Sequence, residues 1–396
     1  MKTNQIQKNI PSGWIQDDMG TYGSCVRGVS YSPVDLREIK DESSIALLRS
    51  NNIKNDQLNL SDVQIVSKTK VSDNQILKKG DIFICMSNGS KPLVGKNVFI
   101  DDDEGYTIGA FCALFHPDSK KIIPSFVKQL FLSDNYLRQI QDSLAGTSIN
   151  NLKNSHIEDL KFLFPPKPEQ EKISEILGKV DEAIEKTGEV VYENRKLKKG
   201  LMQELLGKSK NLTRAKFSDL VRLKNEKFNP KENENRKYIS LEYMEQDGGK
   251  LLGFGNSSET KSINSIFKKN DILFGKLRPY LRKYWKADFD GVCTGEIMVF
   301  EPKLKTDTDF VFQLVQTDGF IDNSISKSFG TKMPRTDWNI ISEYKISIPP
   351  PKEREKIGEI LSTIDEKITI NKKLKEKLVQ LKKGLMADLL SGKVRA

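Results

Sequence analysis

Cysteine, histidine and long apolar runs are all scarce in this 396-residue chain. Cys25, Cys85, Cys112 and Cys293 stand far apart with no CxxC pair, which argues against a disulfide framework or a zinc knuckle and leaves four expected core thiols. His116 and His156 are too few for a histidine-rich metal site. No stretch approaches the roughly 18 apolar residues of a membrane span. The opening MKTNQIQKNIPSGW lacks the apolar core of an export signal, so the expected location is cytoplasmic, with no membrane partner.

Catalytic motifs are equally thin. Gly89 to Gly95 has the wrong spacing for a phosphate-binding loop, and Gly95-Lys96 continues to Asn97 rather than to Ser or Thr. Asn229-Pro230 is followed by Lys231, which fails the Asn/Asp-Pro-Pro-aromatic pattern of base-amino methyltransferases. A nuclease reading can be assembled from Pro117-Asp118 with Asp159-Leu160-Lys161. The second half keeps Glu343 and Lys345 but has no matching Pro-Asp, and short acidic-lysine triplets are common. The expectation is a chain with no catalytic site, metal or cofactor of its own.

Positive charge is present in excess. The net charge is +10, distributed as +1 over 1–168, −1 over 169–208, +5 over 209–351 and +5 over 352–396. Such a balance suits a polyanionic partner without proving one.

The strongest feature is a repeat. FPPKPEQEKISEILGKVDEAIEK, ending in LKKGLMQELLG (Phe164 to Gly207), aligns without a gap to IPPPKEREKIGEILSTIDEKITI, ending in LKKGLMADLLS (Ile348 to Ser391). The offset is 184 residues, with 20 identities in 44 positions against about three by chance. The register extends upstream to Gly146-Thr147 and Gly330-Thr331, and beyond that becomes patchy. ILKKGDIF (76–83) still resembles IFKKNDIL (266–273).

Each copy places a proline pair, Pro165-Pro166 or Pro349-Pro350, before a long helix with glutamates in its first turn. A seven-residue apolar period runs through Ile173, Val180, Thr187, Asn194 and Leu201, with Ile176, Ala183, Val190 and Leu197 on companion positions. The second copy has Ile357, Ile364, Asn371, Leu378 and Leu385, with Ile360, Leu374 and Leu381 beside them. The period predicts coiled-coil helices of about 38 residues, roughly 57 Å long, in preference to the alternative of helices merely packed on their own domains. Asn194 and Asn371 are expected either to set register through polar partners or to sit partly exposed on the seam.

The expected boundaries are a globular domain at 1–164, a helix at 165–208, a second globular domain at 209–348 and a second helix at 349–396. Each globular domain reads as α/β or mixed α+β. The first has a helical stretch at 43–50, strands in DIFICMS (81–87) and YTIGAFCALF (106–115), and a helix over 124–144. The second repeats the plan with YISLEYM (238–244), DILFGKL (271–277), GVCTGEIMVF (291–300) and a helix over 309–319.

Between matching strands lie two candidate DNA-contacting loops. The first carries Ser87, Asn88, Ser90, Lys91 and Lys96. The second, GKLRPYLRKYW, interleaves Lys276, Arg278, Arg282 and Lys283 with Tyr280, Tyr284 and Trp285. Basic residues among aromatics suit phosphate contact and base reading; equally, such a hairpin can be solvated with its rings turned into the core. Thr147, Ser148, Thr331 and Lys332 lie just before the last strand of each domain, where they are either backbone contacts to phosphate or plain turns.

A globular domain, a PPxxEQxKI helix, an LKKGLM tail and then the same again resembles the specificity subunit of type I restriction-modification enzymes over essentially the whole chain. Pro165-Pro166, Glu169 to Ile173, Leu197 to Met202, their partners 184 residues on, and Ile10-Pro11-Ser12-Gly13-Trp14 carry the resemblance. It implies two target-recognition domains separated by an antiparallel helix pair, each domain reading one of two unlike half-sites in double-stranded DNA. It also implies two methyltransferase subunits and two motor-nuclease subunits, which bring S-adenosylmethionine, ATP and Mg2+ chemistry. On this view the helices act as a ruler between half-sites and dock the partners through Ile173, Ile176, Val180, Leu197, Leu201, Ile357, Ile360, Ile364, Leu381 and Leu385. Arg354 stands where the family often has Gln, a change expected to be immaterial. Two other readings stay open: a self-contained DNA-modifying or cleaving enzyme, and a coiled-coil scaffold that reads no bases.

Overall fold

The computed structural model describes residues 10–103, 105–145, 150–207, 211–232, 235–326, 328–330 and 332–396. The chain divides into two compact units, Met1–Lys186 with Lys375–Ala396, and Thr187–Leu374. Each unit holds one globular domain and half of each long helix, Lys167–Gly207 and Pro351–Leu389.

The first unit is built on a four-stranded antiparallel sheet in the spatial order Gly23–Arg27, Cys112–Pro117, Ile82–Cys85, Asn97–Phe99. The second unit repeats it with Val221–Leu223, Ile297–Pro302, Ile272–Gly275 and Tyr284–Lys286. The central strands are apolar at consecutive positions because the sheet is covered on both faces. Ile82, Ile84 and Phe115 enter one core cluster, while Phe83, Cys85 and Leu114 enter another. Ile272, Phe274 and Phe300 are likewise separated from Leu273, Ile297 and Val299. All four cysteines are free and buried; burial pushes the thiols of Cys25 and Cys293 up to about 12.

Several local expectations change. The helix over 43–50 is not formed: Ser44–Leu48 is a fully buried strand, antiparallel to Gln64–Ser67 and parallel to Tyr106–Ile108, and only Ser50 enters a short 3-10 turn. A run apolar on both faces has no helical stripe, and pairing on both edges selects the strand. The 106–115 stretch is two strands, Tyr106–Ile108 and Cys112–Pro117, separated by a turn that projects Phe111, 71% exposed. The helix over 124–144 is two helices, Pro124–Phe131 and Asp134–Ser143; the second starts where the Ser133 side chain accepts a hydrogen bond from the Tyr136 amide. The helix over 309–319 ends at Leu314, and another begins at Asp318. In 238–244 only Lys237–Ile239 is strand, followed by a 3-10 turn at Leu241–Tyr243.

A two-stranded pair closes each domain, Ile15–Asp18 with Lys161–Phe164 and Thr213–Lys216 with Lys345–Ile348. From its last strand the chain passes through the proline pair into a long helix. Ile173 and Leu177 sink into the first unit's core, and Ile357, Leu361, Ile364 and Ile368 into the second's. The inward companion therefore lies four residues on rather than three. Ile176, Leu197, Ile360 and Leu381, expected on the seam, are 38–52% exposed. The reason is that each inward face packs on a globular domain as well as on a helix, which demands a wider, rotated stripe than a coiled coil does. Val180 is half-buried, and Leu201 and Leu385 pack against the cores of the second and first unit respectively. Asn194 and Asn371 bond to their own helices, at Val190 O (2.7 Å) and Lys367 O (2.9 Å).

Within each unit the two helix segments run antiparallel. In the first, Arg395, just beyond the second helix, meets Glu169, while Lys382 meets Asp181 at 2.6 Å. In the second, Lys198 Nζ lies 2.6 and 2.8 Å from the Asp365 carboxylate. Lys198 and Lys382 are repeat equivalents, as are Asp181 and Asp365. Lys199–Asp318 (3.2 Å) and Lys383–Asp134 (3.5 Å) form a second equivalent set. Each unit thus completes itself with the LKKGLM tail of the other copy.

Candidate nucleic-acid interface

In both units the strand at the middle of the four-stranded sheet leads into the predicted loop, and the same backbone ladder shapes that loop. In the first unit the Met86 and Ser87 amides donate to Phe111 O at 2.9 and 3.0 Å, Ser87 bridges to Asn151, and the Leu152 amide donates to Met86 O at 2.8 Å. In the second the Lys276 amide donates to Glu296 O at 2.8 Å, Leu277 bridges to Arg335, and the Thr336 amide donates to Lys276 O at 3.1 Å.

The first loop folds back at Asn88, whose Oδ1 accepts from the Ser90 amide at 3.0 Å, and continues through a 3-10 turn at Lys91–Leu93. Ser87 and Asn88 are half-buried; Ser90 and Lys91 are exposed. Lys91 donates to Leu144 O at 3.1 Å, and Lys96 to Ile53 O at 2.9 Å. An ammonium has three donors, so each lysine is positioned by one of them. Beside the loop, a recess of about 600 Å3 is lined by Tyr31, Arg49, Asn51 and Phe111, among others.

The second loop is tighter. Arg278 and Arg282 take left-handed backbone conformations, with φ of 51° and 53°, on either side of a 3-10 turn at Pro279–Leu281. Lys276 Nζ donates to Gly295 O at 2.7 Å, and the Arg278 amide to Pro334 O at 2.7 Å. Arg282 is held inward by Asp318 (3.0 Å) and Gln316 O (2.6 Å), with Asp247 3.1 Å away. Lys283 donates to Leu241 O. The rings of Tyr284 and Trp285 lie in the core, whereas Tyr280 is 48% exposed. Of the interleaved pattern, Lys276, Arg278 and Tyr280 therefore stay accessible, and the Arg282–Trp285 end belongs to the domain's own packing.

Lys332 is exposed; Thr147, Ser148 and Thr331 lie outside the described residues. Asn151 and Arg335, not among the residues expected from the sequence, occupy the ladder position opposite each loop. The signal was available, because the register that pairs Gly146 with Gly330 also pairs Asn151 with Arg335. Their supports, Arg27 and Glu296, come from elsewhere in the chain and left no local trace.

Of the nuclease candidates, the Lys161 ammonium lies 2.6 Å from Asp18, and Asp118 accepts from the Lys120 amide of its own turn. Among the described residues no group of three or more His, Cys, Asp or Glu is placed to hold a metal ion, and no helix is long and apolar enough to cross a membrane.

Two copies of one α/β plan, each presenting a different loop on the same ladder, define an internally duplicated two-domain protein. The chain belongs to the family of type I restriction modification DNA specificity domains, whose model matches residues 33–191 and again 212–380. It is 32% identical over 176 residues to the EcoKI specificity subunit of Escherichia coli K12, a match covering 43% of this chain and 38% of the relative's length. It is 24% identical over 417 residues to the putative MjaX specificity subunit of Methanocaldococcus jannaschii, covering 98% and 95%. The fold is similar to that of the S subunit of a type I restriction-modification system from M. genitalium, with a TM-score of 0.64, 15% identity and 98% coverage of both chains. A chain from a structure describing assembly and conformational transition of the type I R-M system matches with a TM-score of 0.57, 12% identity and coverage of 98% and 100%.

Proposed function

We propose that the chain is the non-catalytic DNA-recognition subunit of a type I restriction-modification complex, each unit reading one of two unlike half-sites. The observation that carries this reading is the ladder shared by both units, on which the side chains differ. Equivalent ladders with different side chains suit a bipartite, asymmetric target rather than a palindrome. Two methyltransferase subunits dock on the long helices, and two motor-nuclease subunits complete the restriction complex; S-adenosylmethionine, ATP and Mg2+ act on those partners. Support for paired docking comes from exposed apolar residues at repeat-equivalent positions, Ile176 with Ile360 and Leu197 with Leu381, since a partner used twice needs the same surface twice.

The test is methylation of DNA by the chain reconstituted with its methyltransferase subunit, followed by mapping of the modified positions. A bipartite sequence methylated only by the mixture is expected; methylation by the chain alone overturns the reading. Replacing residues 1–164 with another recognition domain is expected to change one half-site and preserve the other. Leu197→Asp and Leu381→Asp are each expected to weaken association with the methyltransferase subunit by about tenfold or more, measured by sedimentation.

A further inference from the structure

The residues opposite the two loops differ in a way that matches base chemistry. Asn151 and Arg335 are 184 residues apart, the offset of the helices, and occupy the same rung beside Ser87 and Leu277. Neither side chain joins a core cluster; Asn151 is exposed and the Arg335 side chain is 41% exposed. Each is held from one side only.

The Arg335 Nε and Nη2 donate to the two oxygens of Glu296 at 3.1 and 3.3 Å. This side-on grip fixes the guanidinium plane and leaves the Nη1/Nη2 edge, a parallel pair of donors, without a described acceptor. The backbone beneath is pinned twice, by the reciprocal bonds between Arg335 and Phe329 (3.0 and 2.9 Å) and by the bridge to Leu277. In the first unit Arg27 Nη2 donates to Asn151 Oδ1 at 3.0 Å and to Leu152 O. That bond orients the carboxamide; Oδ1 keeps a second lone pair, and Nδ2 has no partner among the described residues.

An arginine edge presents two donors, matching O6 and N7 of guanine; a carboxamide presents one acceptor and one donor, matching N6 and N7 of adenine. Resting on the proposed reading of two half-sites, we infer that Arg335 specifies a guanine in the second unit's half-site and Asn151 an adenine in the first's, with Glu296 and Arg27 as the residues that position them.

The experiment uses the full chain reconstituted with its methyltransferase subunit on a random-sequence duplex library, scored by methylated sequence. Arg335→Ala is expected to relax one guanine position in one half-site and leave the other half-site unchanged. Asn151→Ala is expected to relax one adenine position in the opposite half-site. Discrimination at the relaxed position is expected to fall about 10- to 100-fold. Placing 7-deazaguanine at that guanine removes N7; it is expected to slow methylation by the wild-type complex and to make no difference with Arg335→Ala. Should the alanine variant fail to fold, Arg335→Lys, which keeps the charge without the paired donors, is expected to show the same relaxed position. Uniform weakening on all sequences by Arg335→Ala and Arg335→Lys, with 7-deazaguanine equally harmful to wild type and variant, overturns the inference while leaving DNA recognition by the chain intact. A wild-type complex with no base preference in either half-site overturns the recognition reading itself, and this inference with it.

Discussion

Arg354 shows how much one buried side chain decides. Its repeat counterpart Gln170 donates to Pro165 O at 2.9 Å and accepts from the Ile123 amide at 3.0 Å, tying the first helix to its domain. Arg354 makes the same backward bond, to Pro349 O at 3.0 Å, and adds a bidentate pair with Asp307 at 2.9 and 2.8 Å. Both members of that pair are buried. The exchange of Gln for Arg is therefore not immaterial: both oxygens of the buried Asp307 carboxylate are bonded by the Arg354 guanidinium. Arg354→Gln is expected to lower stability by about 3–5 kcal/mol, because it strands a buried charge, and Asp307→Asn should recover part of the loss. Denaturant unfolding of the wild type, Arg354→Gln and the double variant measures both.

His116 is a second case at this scale. Burial lowers its pKa, but the hydrogen bond and charge of Asp81, 2.7 Å from Nδ1, outweigh burial, and the net shift is upward from 6.5. A histidine raised on folding contributes stability that is fully present below about pH 6.5 and is lost as pH rises through the folded value. Thermal unfolding of the first unit is expected to fall between pH 6 and pH 8 more steeply in the wild type than in His116→Gln; equal slopes would count against the linkage.

At the scale of elements, the reciprocal ion pairs make the helix tails exchange partners. Lys198 serves Asp365 and Lys382 serves Asp181, so a lysine from each copy completes the unit built on the other. Lys198 is largely buried, and burial lowers its pKa more than Asp365 raises it, so the pair holds position at some electrostatic cost. Lys198→Asp is expected to destabilise the second unit by about 1–3 kcal/mol, discounted for the partial exposure of Asp365, and the double exchange Lys198→Asp with Asp365→Lys to restore about half. Hydrogen exchange on the helices reads this directly. The clamp of Arg395 on Glu169, at 2.6 and 2.7 Å beneath the Trp14 ring, ties the end of the chain to the first helix in the same manner.

For the whole molecule, charge is divided unequally. Residues 209–351 and 352–396 each carry +5, while 1–168 carry +1. Since phosphate neutralisation sets the salt dependence of DNA binding, replacing 209–348 with a neutral recognition domain is expected to flatten the dependence of log K on log salt more than replacing 1–164. Titration of the reconstituted complex between about 50 and 200 mM salt would show it; equal flattening would mean that local charge placement in the first domain compensates for its low net charge.

The duplication, the proline pairs that launch the helices and the α/β character of both domains were all legible in the sequence, because repeats and apolar periods are local patterns that survive without knowledge of partners. Which way each helix face turns was not legible. Ile176 and Leu177 are adjacent and equally apolar, and only docking on a domain decides that Leu177 goes in. The candidate loops were chosen on composition, and there Arg282, Lys283, Tyr284 and Trp285 are engaged by the domain's own residues. Asn151 and Arg335 stood at matching repeat positions in plain view. Their bonds to Arg27 and Glu296, distant in sequence and close in space, could not be read there, and a side chain's free edge is defined only when its other edge has been taken.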